Sequence, residues 1–575
     1  MNHTVFSILP TISLLGSLGW ALAWLEPSTP APTEPPPVIT GCDCTETIYL
    51  NETSDGGKVH KYEIDAAGNL TEVFNTGGTP WYPGTASSQL PAPHGLGIDL
   101  NGNLYIGETG FGDVRRLSCE GVLAPETEFR IEDGGFNFGT IDNSLYLNSA
   151  RPTPSRNIIR EYDLCTGNLV DELCLNITIS NLEDWGFYLD PRTNVMYSTA
   201  TSNGTTNQYD DIQVFRYTAD DFGSPTCIDA FIEADDNVVN VGDNELPHGF
   251  LRGITTDLDG NIYIVMNDTQ GPLSGASRSG RLLKYDPNGN FLAATPWDNT
   301  NTDPDGLFFA LGVIYSEASN SLFISKGEPS ANCIQQYSLD LVDLGVAVGP
   351  STGSGTAKGI SIVRECCPTN NALVIDTTLC NPTVGEQVFL QRLIGCQGGI
   401  CEGTWTPDPA NTGMTYNSCD NSVTIDAASG CGTFTLSSPG TAATNRCGAF
   451  TLTVHLTVQS LDMTVTQTDC TDTDTGNGTS TASYGAVVDF ESDNCDGTTV
   501  IDVLRDGTLI GIISPGSQTS PQTIGFSVDA DGAGSHTVRA QYRSTNCRAD
   551  TTFSAPAPCP EPCVTEKGTV VIHRQ

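Results

Sequence analysis

The chain is poor in basic residues. Its 575 residues include 25 Lys and Arg against 68 Asp and Glu, which gives a formal net charge of −43 at pH 7. A nucleic-acid-binding surface needs clustered positive charge to neutralise phosphates, and an anionic lipid surface attracts the same side chains. The composition therefore excludes nucleic acid as a partner and argues against docking on anionic lipid. It suits a solvated acidic surface or the binding of cations.

Long apolar runs are missing beyond the N-terminus. An apolar stretch ends at Leu18, and the small-x-small sequence ALA follows at 21–23. Residues 1–23 are therefore predicted to be a secretory signal peptide. An uncleaved anchor is the alternative, although Pro10 interrupts the run and the run is short for a membrane span. No later segment could cross a bilayer, so we expect an extracellular or cell-surface chain with no membrane span after signal removal.

Signatures of several site types are also absent. The sequence has no H-E-x-x-H motif and no phosphate-binding loop of the G-x-x-x-x-G-K-[ST] type. Its 20 cysteines lack the paired C-x-x-C spacing of a zinc site. Cysteines in an exported chain instead indicate an oxidising compartment and disulfides.

One phrase recurs along the first two thirds of the chain. It consists of a small or aromatic apolar run, a tight turn with Asp, Asn or Gly, and a β run that bears Tyr or Phe. The continuous copies are HGLGIDLNGNLYIGE from 94, GFNFGTIDNSLYLNS from 135, WGFYLDPRTNVMYST from 185, RGITTDLDGNIYIVM from 252 and FFALGVIYSEASNSLFIS from 308. All-β units at a spacing of roughly 40–65 residues predict a β-propeller.

A sixth copy is split between the two ends of this region. KGISIV begins at Lys358, and TIYLNE begins at Thr47. We therefore predict six four-stranded blades, with the run at 359–363 pairing antiparallel with 47–51 to close the ring. The DLNGN, DLDGN and DPNGN segments are predicted to be hairpin turns. They lack the 12-residue loop and terminal Glu of an EF-hand.

Changes in composition divide the rest of the chain. Residues 24–41 form a Pro-rich tether, which should be extended and semi-rigid, before the propeller at 42–367. Beyond it, Thr- and Ser-rich alternating runs predict two β-sandwiches at 368–460 and 461–557, with Trp405 as the core aromatic of the first. The fold class is thus all-β: a six-bladed β-propeller with a split closing blade, followed by two Ig-like sandwiches. Residues 558–575 remain as a hinge and a terminal strand.

The channel mouth of the propeller holds the candidate functional residues. Enzymes of this architecture place their chemistry on loops that lead into the innermost strand and out of the second. Here those positions carry His94, His248, Asp184, Trp185, Glu108 and Asp268. Imidazoles and carboxylates that converge on a channel could bind Ca²⁺ or a transition metal, act as acid and base, or simply cap turns.

The repeated phrase resembles NHL-type repeats over roughly residues 45–364. More loosely, it is similar to the gluconolactonase and amidating-lyase propellers, and that resemblance implies a channel metal held by Glu, Asn and Asp or by several His. Only two of the seven His of this chain, His94 and His248, occupy channel positions. The sandwiches resemble the Ig-like or fibronectin-like modules of large bacterial surface adhesins.

Several disulfides can be predicted from position. Cys42 and Cys44 precede the second strand of the closing blade, and Cys366 and Cys367 follow its inner strand. At least one disulfide should join the two pairs, at a Cα separation of about 4.4–6.8 Å. A second, between Cys165 and Cys174, is expected across the two outer strands of one hairpin.

The cysteine count adds a constraint on the whole chain. Nine cysteines lie before residue 368 and eleven after it. Full oxidation therefore requires a bond between the propeller and the stalk, or a bond between molecules.

Two functions fit these features. The first is a secreted or cell-surface binding protein that displays a propeller head on an Ig-like stalk to a protein or glycan. In it, the terminal run KGTVVIHRQ, with Val570, Val571 and Ile572, could add to a sheet edge of another subunit and build a filament. A truncated-domain remnant is the other interpretation of that run. The second function is a secreted metal-dependent hydrolase or lyase, lactonase-like, with its chemistry at the channel mouth.

Overall fold

A computed structural model describes most of the chain between residues 42 and 554. The gaps within that span are 53–56, 75–81, 83–92, 100, 109–112, 119–120, 126–128, 132–134, 150–157, 178–181, 203–211, 235–248, 269–279, 297–306, 308–309, 328–332, 349–356, 369–371, 395–402, 440–446, 473–479, 493–499, 516–517, 519, 530–533, 544 and 546. The predicted signal peptide, the tether and the terminal strand, with Val570, Val571 and Ile572, lie outside the described residues.

Six antiparallel sheets form the N-terminal part of the described chain, and we name them blades 1 to 6. Blade 1 contains β1 (Cys42–Glu52), β2 (Lys58–Ile64) and β3 (Leu70–Glu72), and blade 2 contains β4 (Pro93–Ile98), β5 (Leu104–Glu108) and β6 (Val114–Leu117). Blade 3 contains β7 (Gly135–Ile141), β8 (Ser144–Ser149), β9 (Ile158–Asp163) and β10 (Leu169–Cys174). Blade 4 contains β11 (Leu182–Asp190), β12 (Val195–Ser202), β13 (Ile212–Tyr217) and β14 (Ile232–Ala234).

The remaining two blades complete the set. Blade 5 contains β15 (Gly249–Thr256), β16 (Ile262–Asp268), β17 (Gly280–Tyr285) and β18 (Phe291–Ala294). Blade 6 contains β19 (Ala310–Ser316), β20 (Ser321–Lys326), β21 (Cys333–Ser338) and β22 (Asp343–Val348). The strand β23 (Ala357–Pro368) then returns to blade 1, where it pairs with β1.

The inner strands of the six sheets contact one another in a closed order. β23 contacts β4, and the contacts continue through β7, β11, β15 and β19 back to β23. Within blade 1, Thr47 lies opposite Val363 and Leu50 lies opposite Ile360, in antiparallel register. A closed ring of radially arranged sheets is a β-propeller. The predicted propeller and its split closing blade are therefore confirmed.

Close approach of the inner strands explains why the repeated phrase carries a glycine. A Cβ on Gly253 of β15 would lie 2.8 Å from the Cα of Gly312 on β19. A Cβ on Gly312 would in turn lie 2.7 Å from Ile360 Cγ2 on β23. Since such distances are below ordinary carbon contacts, larger residues here would push adjacent blades apart.

The Asp-containing segments fold as the predicted turns. Between β4 and β5, Asp99 Oδ1 accepts the backbone N–H groups of Asn101 and Asn103, each at 2.9 Å. Asp99 Oδ2 accepts bonds from Asn103 Nδ2 and from the hydroxyl of Tyr105, at 2.9 and 3.0 Å. Gly102 supplies the positive φ of 75° that this turn needs. The Asp side chain thus organises its own hairpin.

The C-terminal part of the described chain consists of further β-sheets. The first module contains β24 (Ala372–Cys380), β25 (Gln387–Phe389), a short helix α1 (Leu390–Leu393), β26 (Thr404–Pro407), β27 (Met414–Asn417), β28 (Ser422–Ile425), β29 (Gly430–Pro439) and the start of β30 (Ala449–Asp472). The second contains the rest of β30 with β31 (Ser480–Ser492), β32 (Ile501–Arg505), β33 (Thr508–Ile513), β34 (Gln522–Asp529), β35 (Ser535–Tyr542) and β36 (Arg548–Ser554).

Each module has its own apolar core. In the first, the sheet formed by β26, β29, β30 and β24 faces the smaller sheet β25-β28-β27. Trp405 lies in the core between them at 5% exposure, as predicted. In the second, β30, β31 and β34 pack against the sheet β33-β32-β35-β36 around residues such as Phe490 and Tyr542.

A single strand joins the two modules. β30 runs for 24 residues and pairs with β29 over its first half and with β31 over its second. Asn381, which follows β24, reinforces the junction because its side chain accepts the N–H of Leu461 and donates to the Leu461 carbonyl. A continuous strand leaves no linker at this junction, so the two modules are joined rigidly.

Candidate functional site

The predicted channel-mouth residues lie on inner and second strands. His94 is on β4, Asp184 and Trp185 are on β11, Glu108 ends β5 and Asp268 ends β16. The structure describes the backbone of these five residues. Their side chains, and His248 as a whole, lie outside the described part of the chain. Their metal-binding or catalytic roles therefore stay predictions.

Strand register places these backbone positions in two groups. Pro93, next to His94, lies opposite Glu108 in blade 2. Gly249, next to His248, lies opposite Asp268 in blade 5. Since β4 and β15 are separated by two inner strands in either direction around the ring, the two groups lie on opposite sides of the channel.

A β-bulge interrupts the inner strand of several blades at the same place. The register shifts at Trp185 in β11, at Arg252 in β15 and at Leu311 in β19. Bulges redirect side chains and are common beside functional sites. Arg252 is not among the residues predicted for the channel mouth. A basic residue immediately before the inner-strand glycine nevertheless distinguishes this copy of the repeat from the copies with Trp185 or Leu311.

Blade 1 contains a buried polar chain. Glu52 ends β1 at 3% exposure, and its Oε2 lies 3.1 Å from His60 Nε2 on β2. The other ring nitrogen, His60 Nδ1, lies 2.8 Å from Glu72 Oε1 on β3. Burial alone would lower the pKa of His60, but its hydrogen bonds to the two carboxylates outweigh burial and raise the pKa above 6.5. The Glu52 carboxylate is thus hydrogen-bonded to His60 within blade 1.

Blade 1 is also tied to blade 6 by a buried carboxylate. Glu46, at 6% exposure, accepts hydrogen bonds from the Ser316 hydroxyl at 2.5 Å and from the backbone N–H groups of Glu317 and Ala318 at 2.9 and 3.2 Å. Ser316 ends β19, and Glu317 and Ala318 lie in the turn that follows it. Glu46 therefore links the closing blade to blade 6. The contact lies at the same end of the strands as Cys44 and Cys366.

Disulfides confirm one pairing and correct another. Cys44 is bonded to Cys366, as predicted. The Cα separation of 4.0 Å is shorter than the expected range of about 4.4–6.8 Å, because the two residues lie directly opposite each other in the β1–β23 ladder. The expected bond between Cys165 and Cys174 is wrong. Cys174 lies opposite Ile158, at the far end of the hairpin from the turn that holds Cys165. Cys174 is instead bonded to Cys227.

Two disulfides cross from the propeller to the first stalk module. Cys165 is bonded to Cys419, and Cys367 is bonded to Cys447. The requirement for a head-to-stalk bond that followed from the cysteine count is therefore met. A further disulfide, Cys380–Cys547, joins the two stalk modules. Five disulfides in the described part of the chain indicate an oxidising environment.

Polar contacts accompany the Cys165–Cys419 bond. Arg392 Nη2 of α1 lies 2.7 Å from Asp142 Oδ1 in the β7–β8 turn. Asn421 Nδ2 donates to Asn101 Oδ1 in the β4–β5 turn at 2.7 Å. Burial raises the pKa of Asp142 above 3.8, with Arg392 opposing the rise and Asp420 adding to it.

The stalk therefore docks on one face of the propeller. Asn101 and Asp142 lie in turns that follow the inner strands of blades 2 and 3, whereas His94 lies near the start of β4. Because a strand has its two ends on opposite faces of a propeller, the candidate channel mouth opens on the face away from the stalk.

In the part of the chain that the structure describes, no cluster of three or more His, Cys, Asp or Glu is arranged to hold a metal ion. The predicted Ca²⁺ at the channel mouth concerns side chains outside that part. The helices that the structure describes are too short to span a membrane.

Comparisons with known proteins give structural likenesses at low identity. No family model and no curated protein matches the chain. A calcium-binding regucalcin from Agrobacterium tumefaciens aligns at 12% identity over 45% of this chain and 74% of its own, with a TM-score of 0.30. A gluconolactonase from Xanthomonas campestris aligns at 16% identity over 47% and 79%, with a TM-score of 0.30.

A third similar structure is an inactive variant of virginiamycin B lyase from Staphylococcus aureus with quinupristin. It aligns at 14% identity over 56% of this chain and 96% of its own, with a TM-score of 0.31. At these scores the likenesses carry no functional argument. The propeller fold is established by the six sheets of this chain and the closed ring of their inner strands.

Proposed function

We propose that the chain is an extracellular binding protein, secreted or held at a cell surface. Its propeller head is fixed on a two-module stalk and presents the face away from the stalk to a protein or glycan. The observation that carries the proposal is that disulfides cross both described junctions, between the head and the stalk and between the two stalk modules. Cys165–Cys419 and Cys367–Cys447 fix the head to the stalk, and Cys380–Cys547 fixes the two stalk modules together.

Rigid joints suit display rather than turnover of a small substrate. An enzyme with accessory modules needs no fixed angle between them, and domain motion is the default where interfaces are small and polar. Here two disulfides and the continuous strand β30 remove that freedom. A fixed head gains affinity when several copies bind one surface, because the second contact becomes effectively intramolecular.

We also propose that the repeats are NHL-like and that the stalk modules are Ig-like or fibronectin-like. Five of the six described propeller sheets have four strands, and glycines in the inner strands support the first assignment. Two facing sheets around Trp405 support the second. Assembly of subunits into a filament through residues 568–574 is part of the proposed display role and depends on residues outside the described structure.

Binding to a printed glycan array tests the proposal. The purified, oxidised chain should bind a subset of glycans, and His94→Ala and His248→Ala should weaken that binding. Asp259→Ala is the matched control, because Asp259 is exposed in the β15–β16 turn on the stalk side. Binding that is lost in Asp259→Ala and kept in both His variants would contradict the proposed face.

A second candidate function is a metal-dependent hydrolase or lyase at the channel mouth. The observation that favours it is the backbone register, in which Glu108 lies opposite Pro93, the residue before His94, and Asp268 lies opposite Gly249, the residue after His248. Metal analysis of the purified chain separates the two functions. Stoichiometric metal that is lost in His94→Ala or His248→Ala would favour the enzyme, whereas a metal-free channel with glycan binding would favour display.

A further inference from the structure

An open sheet edge runs along the first stalk module. The strand β24 pairs with β30 in parallel register, and no strand lies on its other side in the part of the chain that the structure describes. We propose that the run 568–574 of a second copy of this chain adds to β24 as a parallel strand. The proposal rests on the filament part of the proposed function and deepens it by naming the acceptor surface.

β24 lacks the devices that usually protect an edge strand. It is nine residues long and contains no Pro. Its register with β30 continues without a bulge from Ala372 to Cys380. Edge strands are commonly protected by Pro, bulges or several charges, whereas β24 carries the single charged residue Asp376. This edge is therefore suited to accept another strand.

Other long edges of the described stalk have such protection. The edge strand β33 is six residues long and pairs with β32 across a register shift. The edge strand β36 carries the charged and exposed residues Arg548 and Asp550. On the edge strand β34, the backbone carbonyl of Ser527 already accepts a hydrogen bond from Arg505. None of these features is found on β24.

The side chains of β24 form two rows with different needs. Leu373, Ile375 and Leu379 belong to the row that packs against the core of the module, and Leu373 and Leu379 are only partly buried there. Val374 belongs to the opposite row and is 58% exposed. An added strand with apolar residues on both faces would cover both rows, and burial of that apolar surface would favour its binding.

The run 568–574 has this pattern. Val570 and Ile572 alternate with Val571 in the sequence, so a strand presents the first two on one face and the third on the other. When Val571 is placed beside Val374, the side chains of Val570 and Ile572 fall on the core face. There they would cover the partly buried side chain of Leu373.

Charge favours the parallel direction for the added strand. In parallel register, the same placement sets His573 beside Asp376, whose side chain is exposed. The antiparallel direction would set Thr569 there instead. Opposite charges on neighbouring strands stabilise the pair. Lys567 and Arg574 add positive charge to the run in a chain whose net charge is −43.

The reach of the chain points to a second copy. β36 lies alongside β30, because Thr551 Oγ1 donates to the Met463 carbonyl at 3.0 Å. From Ser554, which ends β36, the start of the parallel register beside Thr451 lies about 50 Å back along β30 and about 10 Å away in the other sheet. The Pro-rich segment between Ser554 and Thr569 spans only about 46 Å at 3.1 Å per residue.

A second copy has no such limit. Each copy would then offer its run 568–574 to the next copy and its β24 to the previous one. A contact of this kind joins two different surfaces, and when the rotation between copies does not close a ring, it builds a filament.

Sedimentation of the full oxidised chain tests the acceptor edge. The wild type should self-associate, and Val374→Lys should stay monomeric because a Lys on an open edge opposes strand addition. Ile512→Lys is the matched control, since Ile512 is 49% exposed on the β33 edge, and it should self-associate like the wild type. A monomeric wild type, or self-association that Val374→Lys leaves unchanged, would overturn the proposal.

A charge exchange tests the register and provides a second variant if Val374→Lys fails to fold, as judged by circular dichroism. Asp376→Lys should raise the dissociation constant of self-association about fivefold, because like charges on neighbouring strands are destabilising. Adding His573→Glu to the same chain should restore the wild-type value. An equally weak association in the double variant would overturn the parallel register.

Glycan binding by the same variants separates this proposal from the display function. Val374 lies in the stalk, so Val374→Lys should keep any glycan binding of the propeller. Self-association that Val374→Lys abolishes supports the β24 edge whether or not a glycan binds, whereas an array without glycan binding counts against display alone.

Discussion

Cys165 of the propeller and Cys419 of the first stalk module are bonded, with their Cα atoms 5.7 Å apart and 254 residues between them in the sequence. The bond joins the turn after β9 to the turn before β28. It makes two structural units of the chain covalently dependent on each other, and it defines the face on which the stalk sits.

Removing this bond should loosen the head-to-stalk joint and leave each unit folded. Replacing both Cys165 and Cys419 with Ser should cost about 2–4 kcal/mol of joint stability, the usual range for a native disulfide. Limited proteolysis should then cut the chain at the joint faster, as seen on a reducing gel, because Cys367–Cys447 still links the propeller to the stalk. The control is the same double change at Cys174 and Cys227, a disulfide within the propeller. Equal cleavage rates in the two double variants would show that the Cys165–Cys419 bond does not protect the joint.

Glu46 should be important for ring closure. Glu46→Ala leaves the Ser316 hydroxyl and two backbone N–H groups without their acceptor in a buried place. Because hydrogen bonds to charged groups contribute about 1.5–3 kcal/mol each and are not additive, we expect a loss of roughly 3 kcal/mol in the free energy of unfolding. Guanidinium denaturation of Glu46→Ala beside Asp259→Ala measures it. A loss below that of the exposed Asp259 variant would contradict this role.

His60 should make the stability of the propeller pH-dependent. Its pKa is raised in the folded state above 6.5. The folded chain therefore holds the proton more tightly than the unfolded chain. This contribution is fully present below pH 6.5 and is lost as the pH rises through the folded pKa. Thermal midpoints from about pH 6 to pH 9 should fall for the wild type and fall less for His60→Gln. His455→Gln is the control, and its thermal midpoint should fall as steeply as that of the wild type. An equally steep fall in His60→Gln would show that another group causes the pH dependence.

The terminal run KGTVVIHRQ should mediate self-association. Its alternating apolar residues can extend an open sheet edge, as in β-strand addition. Deletion of 566–575 should lower the oligomer mass seen by sedimentation and leave the propeller's thermal transition unchanged. An unchanged mass would remove the support for a filament.

Local repetition explains which parts of the fold could be predicted. The copies that begin at 94, 135, 185, 252 and 308 each show an inner strand, a turn and a second strand, so the missing turn between the halves at 47 and 358 revealed the ring closure. The turn at Asp99 was likewise predictable, because its donors lie within six residues.

Features that depend on distant contacts were not predictable. The predicted boundary between the two sandwiches, at 460/461, lies inside β30. The segment QSLD at 459–462 contains no Gly or Pro that would mark a turn there. Cys165 and Cys174 were paired because they are close in sequence, but strand register sends them to opposite ends of a hairpin. The contacts of Asn101 and Asp142 with Asn421 and Arg392 arise only when turns from two blades meet the first stalk module.

The distance distribution between head and stalk tests the central claim most directly. Spin labels on non-cysteine unnatural residues at Asp259, in the β15–β16 turn, and at Thr508, at the start of β33, leave the native disulfides intact. Pulsed dipolar spectroscopy should give one narrow distance peak for the oxidised chain, and the peak should broaden when Cys165 and Cys419 are both replaced. A broad distribution in the intact oxidised chain would contradict a rigid display of the propeller.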